Sequence, residues 1–433
     1  MLFCQLIVNI SCRVYEHDNN NTNRTNHQIR FYLYPLKLFP SFWGPNTSCD
    51  HSKVYTPKHD AYIYTIQAMK RHPWRVANQY DAKIAFLPIS IDIYSRGGCP
   101  GLTESTILEE LKSVIDNSPI FPKIKHVYIG VDFKTEELSK KILSVLKPAG
   151  IWTAMEDRGD CKTSLPYNTN YASFMSMRTP NSWYLPNPPV FGSKRIYGIN
   201  FVGQFDERRE YQERVALFTS SKFQNLPNPF IVAPYQEVNH MSMIKKGFPL
   251  RFCKSILDTD RCISNNSFPS RIETQKALEI SNYSLVLRGD TFGGDRWFQA
   301  MSAGSVLIQL IEDEKSWEWL PFPCSIPWRD ILLSIPKNTF MQDPILSIKK
   351  LISNVSEERI LELQNLSLYH TRDIDWTAYN SRVLKNFLIE SYNIPCKSYE
   401  EHICLSKANQ WHDKALCITK SKFDYNSKVL SCC

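Results

Sequence analysis

The sequence predicts an α/β protein built from two doubly wound domains and closed by C-terminal helices. Short apolar runs typical of buried parallel strands alternate with amphipathic helical stretches, first over residues 30–155 and again over 196–310. A proline-rich segment without periodicity, residues 156–195, separates the two series and is predicted to be a long loop. Residues 344–392 carry apolar side chains at helical spacing almost throughout.

The first series starts with the aromatic strand RFYLY, which Pro35 ends. Each later strand is a short apolar run, and each helix repeats apolar residues every three or four positions, as at Ile107, Leu111 and Ile115. The predicted elements are helix 60–71, strand 83–89, helix 104–115, strand 125–131, helix 136–146 and strand 151–155.

The second series repeats this alternation and gives the domain boundaries. Its predicted elements are strand 196–202, helix 207–218, strand 229–233, helix 274–279, strand 283–287, helix 294–303 and strand 306–310. The chain is therefore divided into an Asn-rich N-terminal segment (1–29), a first domain (30–190), a second domain (191–395) and a Cys-rich tail (396–433).

Composition excludes several classes of protein. With 43% apolar and 22% charged residues, the 433-residue chain is neither disordered nor fibrous. No apolar run approaches the length of a membrane-spanning helix. The apolar residues 1–11 stay open as a poor signal peptide, a truncated membrane anchor or a first strand. The net charge of +8 is typical of a solvated surface and also suits an anionic partner, but Lys and Arg are too scattered for long nucleic acid.

Cysteine usage indicates an oxidising compartment. Five of the 13 cysteines fall in the tail after residue 395, a short segment that disulfides would stabilise. N-glycosylation sequons at Asn20 and Asn23 lie in an exposed polar run. Together these features favour the secretory pathway, and they leave a secreted interaction module that works through its tail as one reading of the chain.

The segment that carries chemistry is 281–327. A buried strand delivers Arg288 into a turn with two glycines, and a helix then opens near Arg296. Free N–H groups and the helix dipole favour an anion at such a place, and guanidinium forks suit phosphate. The alternative is an ordinary strand-to-helix loop in which Arg288 pairs with Asp290 or Asp295.

The same segment resembles the C-terminal half of exostosin-like glycosyltransferases. The matching residues are Ser281, Asn282, Tyr283, Leu285, Gly289, Asp290, Arg296, Ala300, Gly304, Val306 and Ile308, followed by Leu320-Pro321-Phe322, Trp328 and the apolar run 332–335. Weaker matches are Phe31-Tyr32-Leu33-Tyr34-Pro35, the run 80–88, and Asn200-Phe201-Val202-Gly203 with Arg214 downstream.

The resemblance implies a GT-B-like fold, in which two Rossmann-like domains face a cleft. It also implies a Golgi-resident enzyme that moves a sugar from a nucleotide-sugar donor, here expected to be a UDP-sugar, to a glycan or glycoprotein acceptor. By position, Arg288, Gly289, Asp290 and Thr291 would contact the donor's phosphates and sugar. Arg296 would hold the diphosphate, and Gln299 would meet the ribose or uracil.

One departure from the family concerns Gln299, where the family has Glu or Asp. An amide accepts hydrogen bonds with one oxygen, whereas a carboxylate offers two. The alternative function is therefore a degenerate relative that binds nucleotide sugar or glycan without transfer.

Catalytic carboxylates are sought where strands of the first domain end. Asp92 follows the strand 83–89, and Glu156 and Asp157 follow the strand 151–155, so each is a candidate general base as well as a possible capping or solvated carboxylate. Asp258 and Asp260 match a metal-binding DxD pattern in letters only, because they fall in a predicted loop. We therefore expect no metal and no cofactor beyond the donor.

Overall fold

Two parallel β-sheets organise the protein. The computed structural model describes residues 28–50, 57–130, 136–154, 162–164, 195–203, 211–220, 225–232, 277–289, 294–323, 325–376, 381–394, Cys396, Glu400 and Ile403. Each sheet has five strands, and every pair of neighbouring strands is parallel. The predicted fold of two Rossmann-like α/β domains is thus confirmed.

The first sheet has its strands in chain order, β1-β2-β3-β4-β5. They are β1 (Phe31–Leu33), β2 (Ile84–Leu87), β3 (Lys125–Ile129), β4 (Gly150–Ala154) and β5 (Lys162–Ser164). The helices are α1 (Pro40–Trp43), α2 (Pro57–Arg71), α3 (Ile91–Ser95), α4 (Glu104–Asp116) and α5 (Glu136–Leu146). The long-loop prediction for 156–195 is wrong at β5, a short edge strand that pairs with β4.

The second sheet has the order β10-β9-β8-β6-β7. Its strands are β6 (Tyr197–Val202), β7 (Pro229–Val232), β8 (Ser281–Val286), β9 (Val306–Ile311) and β10 (Leu333–Pro336). The helices that accompany it are α6 (Gln212–Thr219), α7 (Gly294–Ser302), α8 (Trp328–Ile331) and α9 (Lys337–Gln342). The predicted boundary at residue 190 lies outside the described residues.

The order of the second sheet creates a switch point. Strand β6 has β7 on one side and β8 on the other, so the chain leaves β6 in one direction and later returns to its other side. In open parallel sheets, ligands bind outside the carboxyl ends of the strands at such a point. The segments that follow β6 and β8 are therefore the place to look for a site.

Three C-terminal helices complete the fold: α10 (Pro344–Ser353), α11 (Glu357–Ile374) and α12 (Val383–Asn393). Helix α12 returns to the first domain, where Phe387 packs against Phe86 of β2 with ring centroids 5.5 Å apart. Buried residues of β1–β4, α7 and α12 belong to one continuous hydrophobic core. The C-terminal helices thus join the two domains, as the fold prediction has it.

Two cysteines of the first domain, Cys49 and Cys99, form a disulfide across 50 residues. Cys396, at the start of the predicted tail, is disulfide-bonded as well. Both bonds agree with the oxidising compartment inferred from the sequence. Among the helices of the described chain, none is long and apolar enough to span a membrane.

Candidate functional site

The loop after β8 presents Arg288 at the switch point. The run Ser281–Val286 is a buried strand because apolar and small side chains fill both of its faces, and Arg288 follows two residues after it. The main-chain N–H of Arg288 donates to Glu213 Oε2 at 2.8 Å, so this N–H is already engaged within the protein. Within the described residues, the buried Nε of Arg288 has no hydrogen-bond partner.

A second arginine, Arg214, lies against the same loop. Its Nη2 donates to Leu287 O at 3.2 Å, and its guanidinium stacks 4.5 Å from the ring centroid of Tyr211. A Cβ on Gly289 would come within 2.6 Å of Arg214 Nη2. The absence of a side chain at Gly289 thus leaves room for the guanidinium of Arg214, which a larger residue would displace.

Among the predicted site residues Arg214 is missing, although it is the downstream arginine of the family resemblance. A usable signal was its position early in the helix that follows β6, because that end of α6 faces the carboxyl edge of a parallel sheet.

A charge cluster extends from Glu213 across this edge. Lys337, the first residue of α9, lies 3.2 Å from Glu213 Oε1 and also pairs with Glu312, which directly follows β9. Burial lowers the pKa of Lys337, but its hydrogen bonds and charge interactions with the two carboxylates outweigh burial and raise the pKa overall. Lys337 therefore stays protonated and offsets part of the negative charge beside the arginines.

Helix α7 carries the third arginine. Trp297, Phe298 and Met301 bury one face of this helix in the shared core, which fixes its orientation. On the partly exposed face, Arg296 Nη1 donates to Gln299 Oε1 at 2.5 Å, one turn away. The single amide oxygen of Gln299 is thus already engaged by Arg296.

The remaining predicted donor residues can be placed only in part. Gly289 is buried beside Arg214, and α7 begins at Gly294 as expected. Asp290 and Thr291 lie outside the described residues, as do Glu156, Asp157, Asp258 and Asp260.

The first-domain candidate Asp92 lies in α3, just beyond the carboxyl end of β2, and its side chain is fully buried. The negative charge of Asp92 adds to burial in raising the pKa of Tyr62. Asp92 therefore faces a tyrosine of α2 inside the first domain.

Trp317 and His126 both lie in the interior of the fold. Trp317 packs against the shared core with Arg329 5.1 Å above its ring. His126 is fully buried. The part of the chain that the structure describes contains no group of three metal-ligating side chains.

Comparison with known proteins gives a partial relative. No family model matches the chain. A segment of 125 residues is 29% identical in sequence to Exostosin-1a of Danio rerio. This segment covers 29% of this chain and 15% of the length of Exostosin-1a. The similarity therefore concerns a limited part of the zebrafish protein.

Solved structures with distant likeness include two transferases. A spinosyn rhamnosyltransferase complexed with thymidine diphosphate matches 78% of this chain and 80% of its own, with 9% identity and a TM-score of 0.33. The match to an alpha-glucosyltransferase in complex with UDP-glucose and DNA covers 76% of this chain and 84% of the transferase chain, with 10% sequence identity and a TM-score of 0.36. Because these TM-scores are low, we assign the fold from the strand order of the two sheets and not from these matches.

Proposed function

We propose that the chain is a glycosyltransferase that takes a sugar from a nucleotide-sugar donor, a UDP-sugar in our expectation, to a glycan or glycoprotein acceptor. The observation that carries the proposal is the convergence of Arg214, Arg288 and Gly289 at the switch point of the second sheet. Arg296 on α7 follows the same loop. The exostosin resemblance and the partial match to Exostosin-1a support it.

Electrostatic stabilisation of the leaving group is the expected chemistry of this site. As the acceptor hydroxyl attacks the anomeric carbon, negative charge grows on the departing nucleoside diphosphate. Guanidinium groups and the N-terminal end of α7 would stabilise that charge, and fixed donors of this kind need little reorganisation during the reaction. Gly289 lets Arg214 lie against the main chain at the point where the phosphates would bind.

The general base is proposed to come from the first domain. Asp92 is wholly buried, so an acceptor hydroxyl reaches its carboxylate only if the residues that cover it move. Glu156 comes two residues after the end of β4 and is the candidate that we would replace first.

The second candidate function is binding of nucleotide sugar without transfer. It is favoured by the Arg296–Gln299 hydrogen bond, because that bond takes one of the two lone pairs on the single amide oxygen and leaves Gln299 less able to accept from the donor's hydroxyls than a carboxylate would be. Slow donor hydrolysis or sugar transfer by the purified chain would exclude this alternative.

The proposed compartment is the secretory pathway, with the Golgi as the expected site. The Cys49–Cys99 disulfide and the bonded Cys396 support an oxidising environment. The excess of basic residues suits an acidic glycan acceptor.

The test is binding and turnover of a panel of UDP- and GDP-sugars. We expect Arg288→Ala and Arg296→Ala each to weaken donor binding about tenfold or more, because each removes a charged hydrogen-bond donor to phosphate. Arg359→Ala is the matched control, since Arg359 is exposed and pairs with Glu362 on α11. Equal donor affinity in all three variants would contradict the proposed site.

A further inference from the structure

Glu213 connects segments that follow four strands of the second sheet. It lies in the first turn of α6, which follows β6, and its Oε2 accepts from the N–H of Arg288 after β8. Its Oε1 lies 3.2 Å from Nζ of Lys337, which directly follows β10 and also pairs with Glu312 after β9. The side chain of Glu213 is only 6% exposed, so both contacts are sheltered from water.

The contact with Arg288 is made to the main chain and not to the guanidinium. A carboxylate beside an arginine would ordinarily pair with its charge, but among the described residues Glu213 pairs with Lys337 instead. The buried Nε of Arg288 has no hydrogen-bond partner in the same part of the chain. Glu213 therefore holds the loop through its main chain, and among the described residues its charge pairs with Lys337 and not with the Arg288 guanidinium.

The same loop is held from its other side by Arg214. The guanidinium donates to Leu287 O and its Nη2 lies 2.6 Å from the position of a Cβ on Gly289, so residues 287–289 contact both Arg214 and Glu213. A loop held at two points keeps a single path away from β8. The direction in which the Arg288 side chain leaves the strand depends on that path.

We propose that Glu213 is a positioning residue, which holds the Arg288–Gly289 loop so that the Arg288 guanidinium meets the donor's diphosphate. The inference rests on the proposed function. By simple electrostatics, a carboxylate near an anion site repels the anion, so its removal should strengthen diphosphate binding. The proposed role of Glu213 predicts the opposite change in affinity. As a positioning residue, Glu213 strengthens binding although it bears the same sign of charge as the ligand.

The experiment measures affinities of the whole chain for UDP and for uridine by calorimetry. We expect Glu213→Ala to weaken UDP binding about tenfold while leaving uridine binding unchanged, because only the diphosphate meets Arg288. Glu213→Gln keeps an oxygen for the Arg288 N–H and should stay within about threefold of the wild type. Glu312→Gln is the matched control, since it disturbs Lys337 without touching the loop.

The outcomes separate the possibilities. Tighter UDP binding by Glu213→Ala or Glu213→Gln would show that Glu213 is only a repulsive charge and would overturn the inference. Equal loss of UDP and uridine affinity would show a general structural role and would overturn it too. If Glu213→Ala does not fold, Glu213→Gln decides: UDP affinity within about threefold of the wild type supports positioning through the Arg288 N–H, because loss of a merely repulsive charge would tighten UDP binding. If the wild type binds neither UDP, GDP nor dTDP, the proposed function fails and this inference fails with it.

Discussion

His126 shows how a single buried side chain is specified by its neighbours. Its Nε2 lies 2.9 Å from the hydroxyl of Tyr34, and its Nδ1 lies 2.9 Å from Ile124 O. A carbonyl can only accept, so Nδ1 carries the proton and Nε2 accepts from Tyr34 in the neutral ring. Burial disfavours the charged form and lowers the pKa of His126 to about 4, against an ordinary value of 6.5.

This pKa predicts a loss of stability in mild acid. Below pH 6.5 the unfolded chain takes up a proton at His126, whereas the folded chain does so only near pH 4. Stability therefore falls as the pH is lowered through that window, by about 3 kcal/mol for this group. Urea unfolding at a series of pH values should show a shallower acid loss for His126→Gln. Parallel curves for the two proteins would refute the assignment.

At the scale of elements, the junction between α11 and α12 is built around one buried carboxylate. Asp373 accepts from Arg382 Nε at 2.6 Å, from Asn386 Nδ2 at 3.0 Å and from His370 Nδ1 at 2.7 Å. Burial alone would raise the pKa of Asp373, but the hydrogen bonds and charge interactions with His370 and Arg382 outweigh burial and lower the pKa. The two helices thus meet at a satisfied charge and not only at apolar contacts.

Replacing Arg382, which donates to this carboxylate through two nitrogens, should lower the free energy of unfolding. Arg382→Met would leave Asp373 buried without its strongest donor, and we expect a loss of about 3–5 kcal/mol. Arg359→Met provides the control, because the exposed pair of Arg359 with Glu362 is worth less than about 1 kcal/mol. The free energies of unfolding come from urea titrations of both variants. Similar losses in the two would mean that the cluster contributes no more than a surface pair.

The elements also show what a sequence can and cannot predict here. Helix α5 is found at its predicted bounds and α4 within one residue, because regular apolar spacing defines an amphipathic helix. Strand β5 is missed because Lys162–Ser164 has no apolar run, and its pairing with β4 alone makes it a strand. The contact of Glu213 with Arg288 spans 75 residues, and no local pattern encodes it.

For the candidate site, local pattern was enough to find Arg288, Gly289 and Arg296, since a strand, a glycine turn and a helix follow one another. Arg214 and Glu213 come from another segment, and only the parallel order of β6 and β8 brings them to the loop. The residues that we propose to bind the donor could thus be found from the sequence, whereas those that we propose to position them required the fold.

For the whole molecule, the return of α12 to the first domain joins the two sheets. Lys125, at the start of β3, donates through Nζ to Tyr392 O and Ile394 O, each at 2.7 Å. These carbonyls lie at the C-terminal end of α12, where partial negative charge accumulates and a cation is favourable. Phe387 of the same helix packs on Phe86 of β2. One cation therefore fixes the end of a helix whose side chains fill the shared core.

Loss of the Lys125 ammonium should weaken the contact between α12 and the first domain. We expect Lys125→Met to lower the free energy of unfolding by about 2–3 kcal/mol, because two carbonyls lose a charged donor in a buried place. Lys123→Met is the matched control, since the ammonium of Lys123 donates to Pro119 O in an exposed turn. Urea unfolding followed by tryptophan fluorescence measures the free energy of unfolding of both variants.

If α12 couples the domains, Lys125→Met should also broaden the unfolding transition, because the two sheets begin to unfold separately. A single sharp transition at the midpoint of the Lys123→Met control would mean that apolar packing alone holds α12.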